Sequence, residues 1–236
     1  MATPSPFGWL RDTAALYARC FRRGATLALR NWPVGIVAVV SERLVDLVGL
    51  LVAPLGLVGG LLVYLAGVAV FSLGLSLVAG VIRAGRVRLE DIPAGLTAYF
   101  GDLLTVFFLF WLLSLVSTLV LAPFPYLRIV FVLAMLVFLN AVPELIYLGH
   151  HAAGQLLVES YRFIGENWIE WFPANIVLGA CILGAIRYVP DGPYGLLGGT
   201  ATGLALYFAM IVRGLLFQEM SSSSRRAREF RRRAAL

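Results

Sequence analysis

The chain has 236 residues, of which 60% are hydrophobic and 14% charged, with 24 Gly, 11 Pro and a formal net charge of +6. Soluble domains carry roughly 45–50% apolar and about 25% charged residues, so a chain of this length could not cover so much apolar surface in water. An ordinary soluble domain is excluded, and a polytopic membrane protein is indicated, because membrane helices tolerate Gly and Pro. All nineteen basic residues are Arg, which reads as the base composition of a GC-rich genome. Cys20 and Cys181 suggest small packing residues rather than a disulfide framework or a metal site.

Residues 1–6 lack a basic region followed by a short apolar core, so no removable signal peptide is expected, and neither end carries a lipidation motif. An amphipathic helix is expected over about 7–30. Phe7, Leu10, Ala14, Tyr17 and Phe21 form its apolar stripe, with Arg11, Arg19, Arg22 and Arg23 opposite, beside Asp12. That composition suits an interfacial helix on anionic phospholipids, although a solvated basic face would read the same way. Apolar stretches of spanning length follow at about 33–54 and 58–82, then 103–122 and 127–147, then 173–189 and 195–217. Pro and Gly at 54–56, 122–126 and 190–194 turn each pair into a hairpin. Segments too polar to span precede the second and third hairpins, at about 89–101 and 154–172. In the former, Asp91 before Pro93 marks a helix start. The expected fold is an all-α membrane protein: six transmembrane helices in three hairpins, each preceded by a cytoplasmic amphipathic helix. Residues 1–217 form one membrane domain, and 218–236 a basic tail.

Charge sets the orientation. With six spans, sixteen arginines fall on one face and two, Arg128 and Arg187, on the other, leaving Arg43 within the membrane. The positive-inside rule then places both termini in the cytoplasm, here of a bacterial inner membrane. A re-entrant 33–54 would leave five spans and carry one basic terminus outside, so six are preferred.

In the 154–172 segment, Leu157, Tyr161, Ile164, Trp168 and Trp171 share one face, and Gln155, Glu159, Arg162, Glu166 and Glu170 the opposite one. The polar face is acidic, so water or a protein suits it better than anionic lipid. Leu157, Tyr161, Trp168 and Trp171 are therefore candidate partner contacts. Asn167-Trp168 before Pro173 echoes Asn31-Trp32 before Pro33, as an internal repeat would. The run from Leu156 to Trp168, an amphipathic helix leading into a span, resembles uncharacterised bacterial six-span integral membrane domains. It is similar to the membrane domain fused to some glycerophosphodiester phosphodiesterases. The resemblance covers most of the chain in architecture and about twenty residues in wording. It implies the six-span arrangement and supplies no catalytic residues. No stretch of the sequence corresponds to the soluble phosphodiesterase domain, so that activity is not implied.

Glu42, Arg43 and Asp46 interrupt the first span, where each charge costs about 2.5–3.5 kcal/mol to insert. Their spacings of three and four bring them to one face. Arg43 can neutralise one carboxylate; the other needs a proton, a cation or a partner, for which Asn140 or protonated Glu144 are candidates. The cluster reads either as an ion, proton or pore site or as a structural ion pair. Asn140 and Glu144 flank Pro143 in the fourth span, and Glu144 lies close enough to the cytoplasmic end to snorkel. His150-His151 alone make a weak metal signal, so no metal and no cofactor are expected. Gly195, Gly199 and Gly203 form two GxxxG steps, and Gly56 and Gly60 a further small-residue face, which suit close helix packing.

Zinc-protease, nucleophile-elbow and phosphate-loop motifs are missing, so no catalytic residue is assigned. The basic tail suits anionic headgroups better than nucleic acid, and no nucleic-acid partner is expected. The first expectation is a non-enzymatic inner-membrane subunit or scaffold, working with other membrane subunits or as a homo-oligomer. A small-solute or ion transporter comes second, and a membrane enzyme of lipid metabolism third.

Overall fold

The computed structural model describes residues 8–87, 89–149, 153–188 and 195–222. The chain is all-helical, with no strand among the described residues. The helices are α1 (Gly8–Arg30), α2 (Trp32–Val52), α3 (Leu57–Ala84), α4 (Ile92–Ala98), α5 (Phe100–Leu115), α6 (Pro125–Phe138), α7 (Val142–Leu148), α8 (Ala153–Tyr188) and α9 (Gly195–Ser221). Five helical stretches are long and apolar enough to cross a membrane: Leu57–Ala84, Ile92–Val120, Pro125–Leu148, Gly154–Arg187 and Thr200–Ser221. The protein thus has the helices of a multi-pass membrane protein. The expected first span does form a helix, α2, but is not among the five. What sets α2 apart is that Glu42, Arg43 and Asp46 lie near its middle, so that every spanning length of it carries three charges.

Two segments are divided differently from the expected bounds. The amphipathic segment 154–172 and the span 173–189 are one continuous helix, α8, of 36 residues with Pro173 inside it. Asn175 Nδ2 donates to the Trp171 carbonyl at 2.7 Å, one turn back along the helix; the carbonyl that Pro173 leaves without its helical donor is that of Ile169, four residues before it. The fourth span is interrupted instead: α6 ends at Phe138 and α7 begins at Val142. Pro143 has no N–H for the Leu139 carbonyl, which instead accepts from Val142 N at 3.2 Å in a tighter turn.

The chain forms two compact units. The first comprises Met1–Ser41, Val78–Val87 and Asn167–Leu236. In it α9 runs antiparallel along α1 and the start of α2: Gly203 lies on Val39, Tyr207 on Asn31 and Val212 on Gly24. Leu178, Ala209 and Val212 form the core of this unit, with Phe21, Ile182 and Phe208 packed around them. Small residues permit the approach, since a Cβ on Gly35 would stand 2.6 Å from Leu204 Cδ2. The buried stripe of α1 is Thr13, Cys20 and Gly24, whereas Leu10 and Ala14 are exposed. The expected stripe is thus rotated by about one residue, because close approach to α9 selects the small side chains.

α1 gives way to α2 at Asn31, where Pro33 cannot donate to Leu29. Asn31 Nδ2 donates to the carbonyls of Leu27 at 2.9 Å and Gly85 at 3.1 Å, and the Tyr207 hydroxyl donates to the Asn31 carbonyl at 3.0 Å. Gly85 follows the end of α3 with φ +71°, a left-handed conformation that suits glycine.

The second unit comprises Glu42–Leu77 and Arg88–Glu166. Its α2–α3 hairpin turns through Ala53–Leu55 and Gly56, whose φ is +56°. Ser72, fully buried on α3, donates to the Gly95 carbonyl at 2.9 Å and accepts from Tyr99 N at 2.9 Å, closing the break between α4 and α5. The Tyr99 hydroxyl reaches the Tyr147 carbonyl of α7 at 3.4 Å. α5 ends in a π-helical turn, Val116–Val120. α6 buries no residue, whereas Val142, Glu144, Leu145, Ile146 and Tyr147 of α7 are all buried.

Overpacking tests the α1–α9 contact. Gly24→Leu, whose Cβ alone would stand 2.7 Å from Val212 Cγ2, is expected to cost about 1–3 kcal/mol of stability. Gly60→Leu, where nothing lies within 4 Å, is expected to change it by less than about 0.5 kcal/mol. Thermal unfolding of both variants in one detergent measures the difference.

Candidate functional site

α2 carries the charge cluster that the sequence singles out. In the second unit Gly49 faces α3, a Cβ there lying 3.7 Å from Val63, with Val45 and Val52 on the same half-buried side. Arg43 and Asp46 point the other way. Arg43 Nη1 lies 3.5 Å from Asp46 Oδ2, and the two side chains are 52% and 62% exposed. The pair is therefore formed within one turn of helix and is not buried. Its distance exceeds the roughly 2.7–2.9 Å of a tight charge-assisted hydrogen bond. The side chain of Glu42 lies outside the described residues.

The interruption between α6 and α7 is the second feature. Helix breaks free carbonyls that hydrocarbon cannot solvate. Here the Ser160 hydroxyl of α8 donates to the Phe138 carbonyl at 2.7 Å, and Ser160 is fully buried. Asn140 sits half-buried in the break, and Glu144 lies in the first turn of α7, 0% exposed. An acidic group at that end of a helix interacts favourably with the backbone dipole. Glu144 is thus enclosed by protein and does not snorkel to a surface. Phe138 and Tyr161 stack beside the break with centroids 4.9 Å apart.

In the first unit an aromatic and polar group joins α1, α8 and α9. Arg213 lies over the Trp171 ring, 5.2 Å from its centroid, and donates from Nη1 to Asn175 Oδ1 at 2.7 Å. Tyr17 donates its hydroxyl to the Glu170 carbonyl at 2.7 Å. Trp171 is wholly buried and Glu170 nearly so, whereas Tyr161 and Trp168 are 60% and 55% exposed. The expected partner face of α8 is therefore divided. Trp171 belongs to the interior and Leu157 is half-buried, leaving Tyr161 and Trp168 outside. The buried arc passes through Leu156, Ser160, Phe163, Asn167 and Glu170, of which Ser160 bonds the Phe138 carbonyl and Glu170 accepts from Tyr17 at its backbone carbonyl.

The remaining assignments also divide. Gly203 packs on Val39 of α2, Gly60 has nothing within 4 Å and Gly56 serves the turn through its backbone angle. Gly195 and Gly199 start α9, at positions whose packing lies outside the described residues, as do His150 and His151 and the tail beyond Ser222. Among the described residues no group of three His, Cys, Asp or Glu could hold a metal ion. Cys20 is buried and Cys181 exposed. Sequence reasoning missed Tyr99, Ser160, Tyr207 and the Arg213–Trp171 contact. Only the Tyr207 contact had a local signal, the break at Asn31 before Pro33 that it closes.

The Tyr17 hydroxyl is pushed up from 10.0 to about 12, first by burial and then by the Glu170 carboxylate. A raised folded value means that its contribution to stability is complete below pH 10 and is lost as pH rises through about 12. The tyrosinate absorbance difference between wild type and Tyr17→Phe should therefore rise near pH 12; a rise near pH 10 would mean that the buried contact is absent in solution.

Compared with known proteins, the chain matches no family model, no curated protein and no solved structure.

Proposed function

We propose that this chain is a non-enzymatic integral subunit or scaffold of a bacterial inner membrane. In this reading it crosses six times, with both termini in the cytoplasm. α2 is the sixth span: its 21 residues extend about 31 Å at 1.5 Å per residue, the thickness of the hydrocarbon core. Including it keeps the basic α1 and the basic tail on one side of the membrane. The exposed Arg11, Arg19, Arg22 and Arg23 of α1 suit anionic phospholipid headgroups there.

The observation that carries the subunit reading is the outward Arg43–Asp46 pair. A charge pair on a spanning helix facing lipid is costly, so it calls for cover by protein. The buried polar side chains Ser72 and Ser160, by contrast, are spent on backbone groups at helix breaks. That use fits a structural protein.

A second reading, a small-solute or ion transporter, rests on the break at 139–141 beside the enclosed Glu144. Discontinuous spans near a buried carboxylate are a recurrent setting for transport sites.

Extraction into native lipid nanodiscs followed by native mass spectrometry separates the two. The subunit reading expects a mass above that of one chain, and no proton or cation flux in liposomes. A single-chain particle supporting flux that Glu144→Gln abolishes would establish the transporter instead.

A further inference from the structure

We propose that the outward face of α2 is where two copies of this chain meet, Arg43 of each copy pairing with Asp46 of the other. The proposal rests on the subunit reading above and names its partner.

The face is set by the helix itself. Val45, Gly49 and Val52 recur at four and three residues on the side that meets α3. Arg43, Leu47 and Leu50 recur at the same spacing on the other side, flanked by Leu44, Asp46 and Leu51, all exposed. Alternation of four and three is the repeat of a helix seam that meets another helix. Exposure alone would not require a protein, since α6 exposes Leu127, Ile129, Val130, Leu133 and Leu136. Those side chains are apolar and suit lipid, and the exposed Arg128 of α6 sits in its first turn, at the helix end. The face of α2 differs because two opposite charges lie in it.

Those charges also select the occupant. A partner carrying one charge would satisfy Arg43 or Asp46 and leave the other opposed to nothing. An occupant that satisfies both must present both signs in matching order, and a second copy does so by symmetry. Copies inserted with the same topology are related by an axis along the membrane normal, which makes the two α2 helices parallel. Asp46 is three residues above Arg43, about 4.5 Å along the axis at 1.5 Å per residue, a step that an arginine side chain spans. The loose 3.5 Å pair within one chain leaves Arg43 donors for a second carboxylate. Two reciprocal pairs then close one end of the seam, and Leu47 and Leu50 pack between the two helices in the turns that follow.

Single charge reversals distinguish this seam from the pair within one chain. Arg43→Asp creates two acidic side chains, and Asp46→Arg two basic ones, so neither variant retains its internal pair. Each carries Leu47→Cys with Cys20→Ala and Cys181→Ala and a distinct tag, and disulfide cross-linking is read in native membranes. The unreversed protein with the same cysteine replacements should cross-link with itself. Each reversal alone should lose that product. Co-expressed, the two variants should cross-link with each other about tenfold in excess of either self-product, the effect of complementary against like charges. Tags quantify each variant in the membrane, and the double reversal Arg43→Asp, Asp46→Arg should restore self-cross-linking. Mixed products at only the statistical share would overturn the proposal. So would absence of cross-linking in the unreversed protein: if larger native complexes persist, the subunit reading stands with another partner, and if single chains alone are found, both fall.

Discussion

A backbone carbonyl released by a helix break in an apolar setting has no water to bond, so the chain must bring it a donor. Much of this protein's use of polar residues follows from that constraint. Asn31 serves the Gly85 carbonyl at the end of α3, Ser72 bridges the α4–α5 break through Gly95 and Tyr99, and Ser160 serves Phe138 where α6 stops. Asn175 bonds the Trp171 carbonyl inside the continuous α8, where no break has released it. Short hydroxyl and amide side chains are suited to this role, being able to pack among apolar neighbours once their hydrogen bonds are made.

The long helices follow from a related economy of backbone ends. α8 has 36 residues and α9 has 27, about 54 Å and 40 Å at 1.5 Å per residue, against roughly 30 Å of hydrocarbon. A helix that overshoots the membrane needs no turn at its surface, and its extension can carry the amphipathic pattern. Within the first unit the Arg213–Trp171–Asn175 group joins these two extended helices to each other, and the Tyr17–Glu170 contact joins α1 to α8. α1 is thereby a packed element of the protein, with its arginines left on the outer side.

The class of fold and most helix bounds were legible because apolar length is a strong signal: segments expected at 58–82 and 195–217 form α3 and α9 with ends shifted by two to four residues at most. Burial phase was less legible. On α8 and α1 the inward arc runs through Ser160, Asn167, Thr13, Cys20 and Gly24, residues that hydrophobicity does not select but that close packing and carbonyl bonding do. Proline was read locally, yet its outcome is set by neighbours: Pro173 lies within a continuous helix, while Pro143 follows a break. For the charge cluster, spacing predicted a shared face for Arg43 and Asp46, and they do pair. It could not say that this face points away from α3, because direction depends on Gly49 and Val63 coming together.

Membrane crossing by α2 is the central claim, since five crossings would put the ends of the chain on opposite sides and six return them to the same side. Protease protection of epitope tags at the two termini, assayed together in sealed inverted and right-side-out inner-membrane vesicles, measures this directly. The account predicts that both tags are cleaved in inverted vesicles and protected in right-side-out ones. One tag cleaved in each orientation would contradict it.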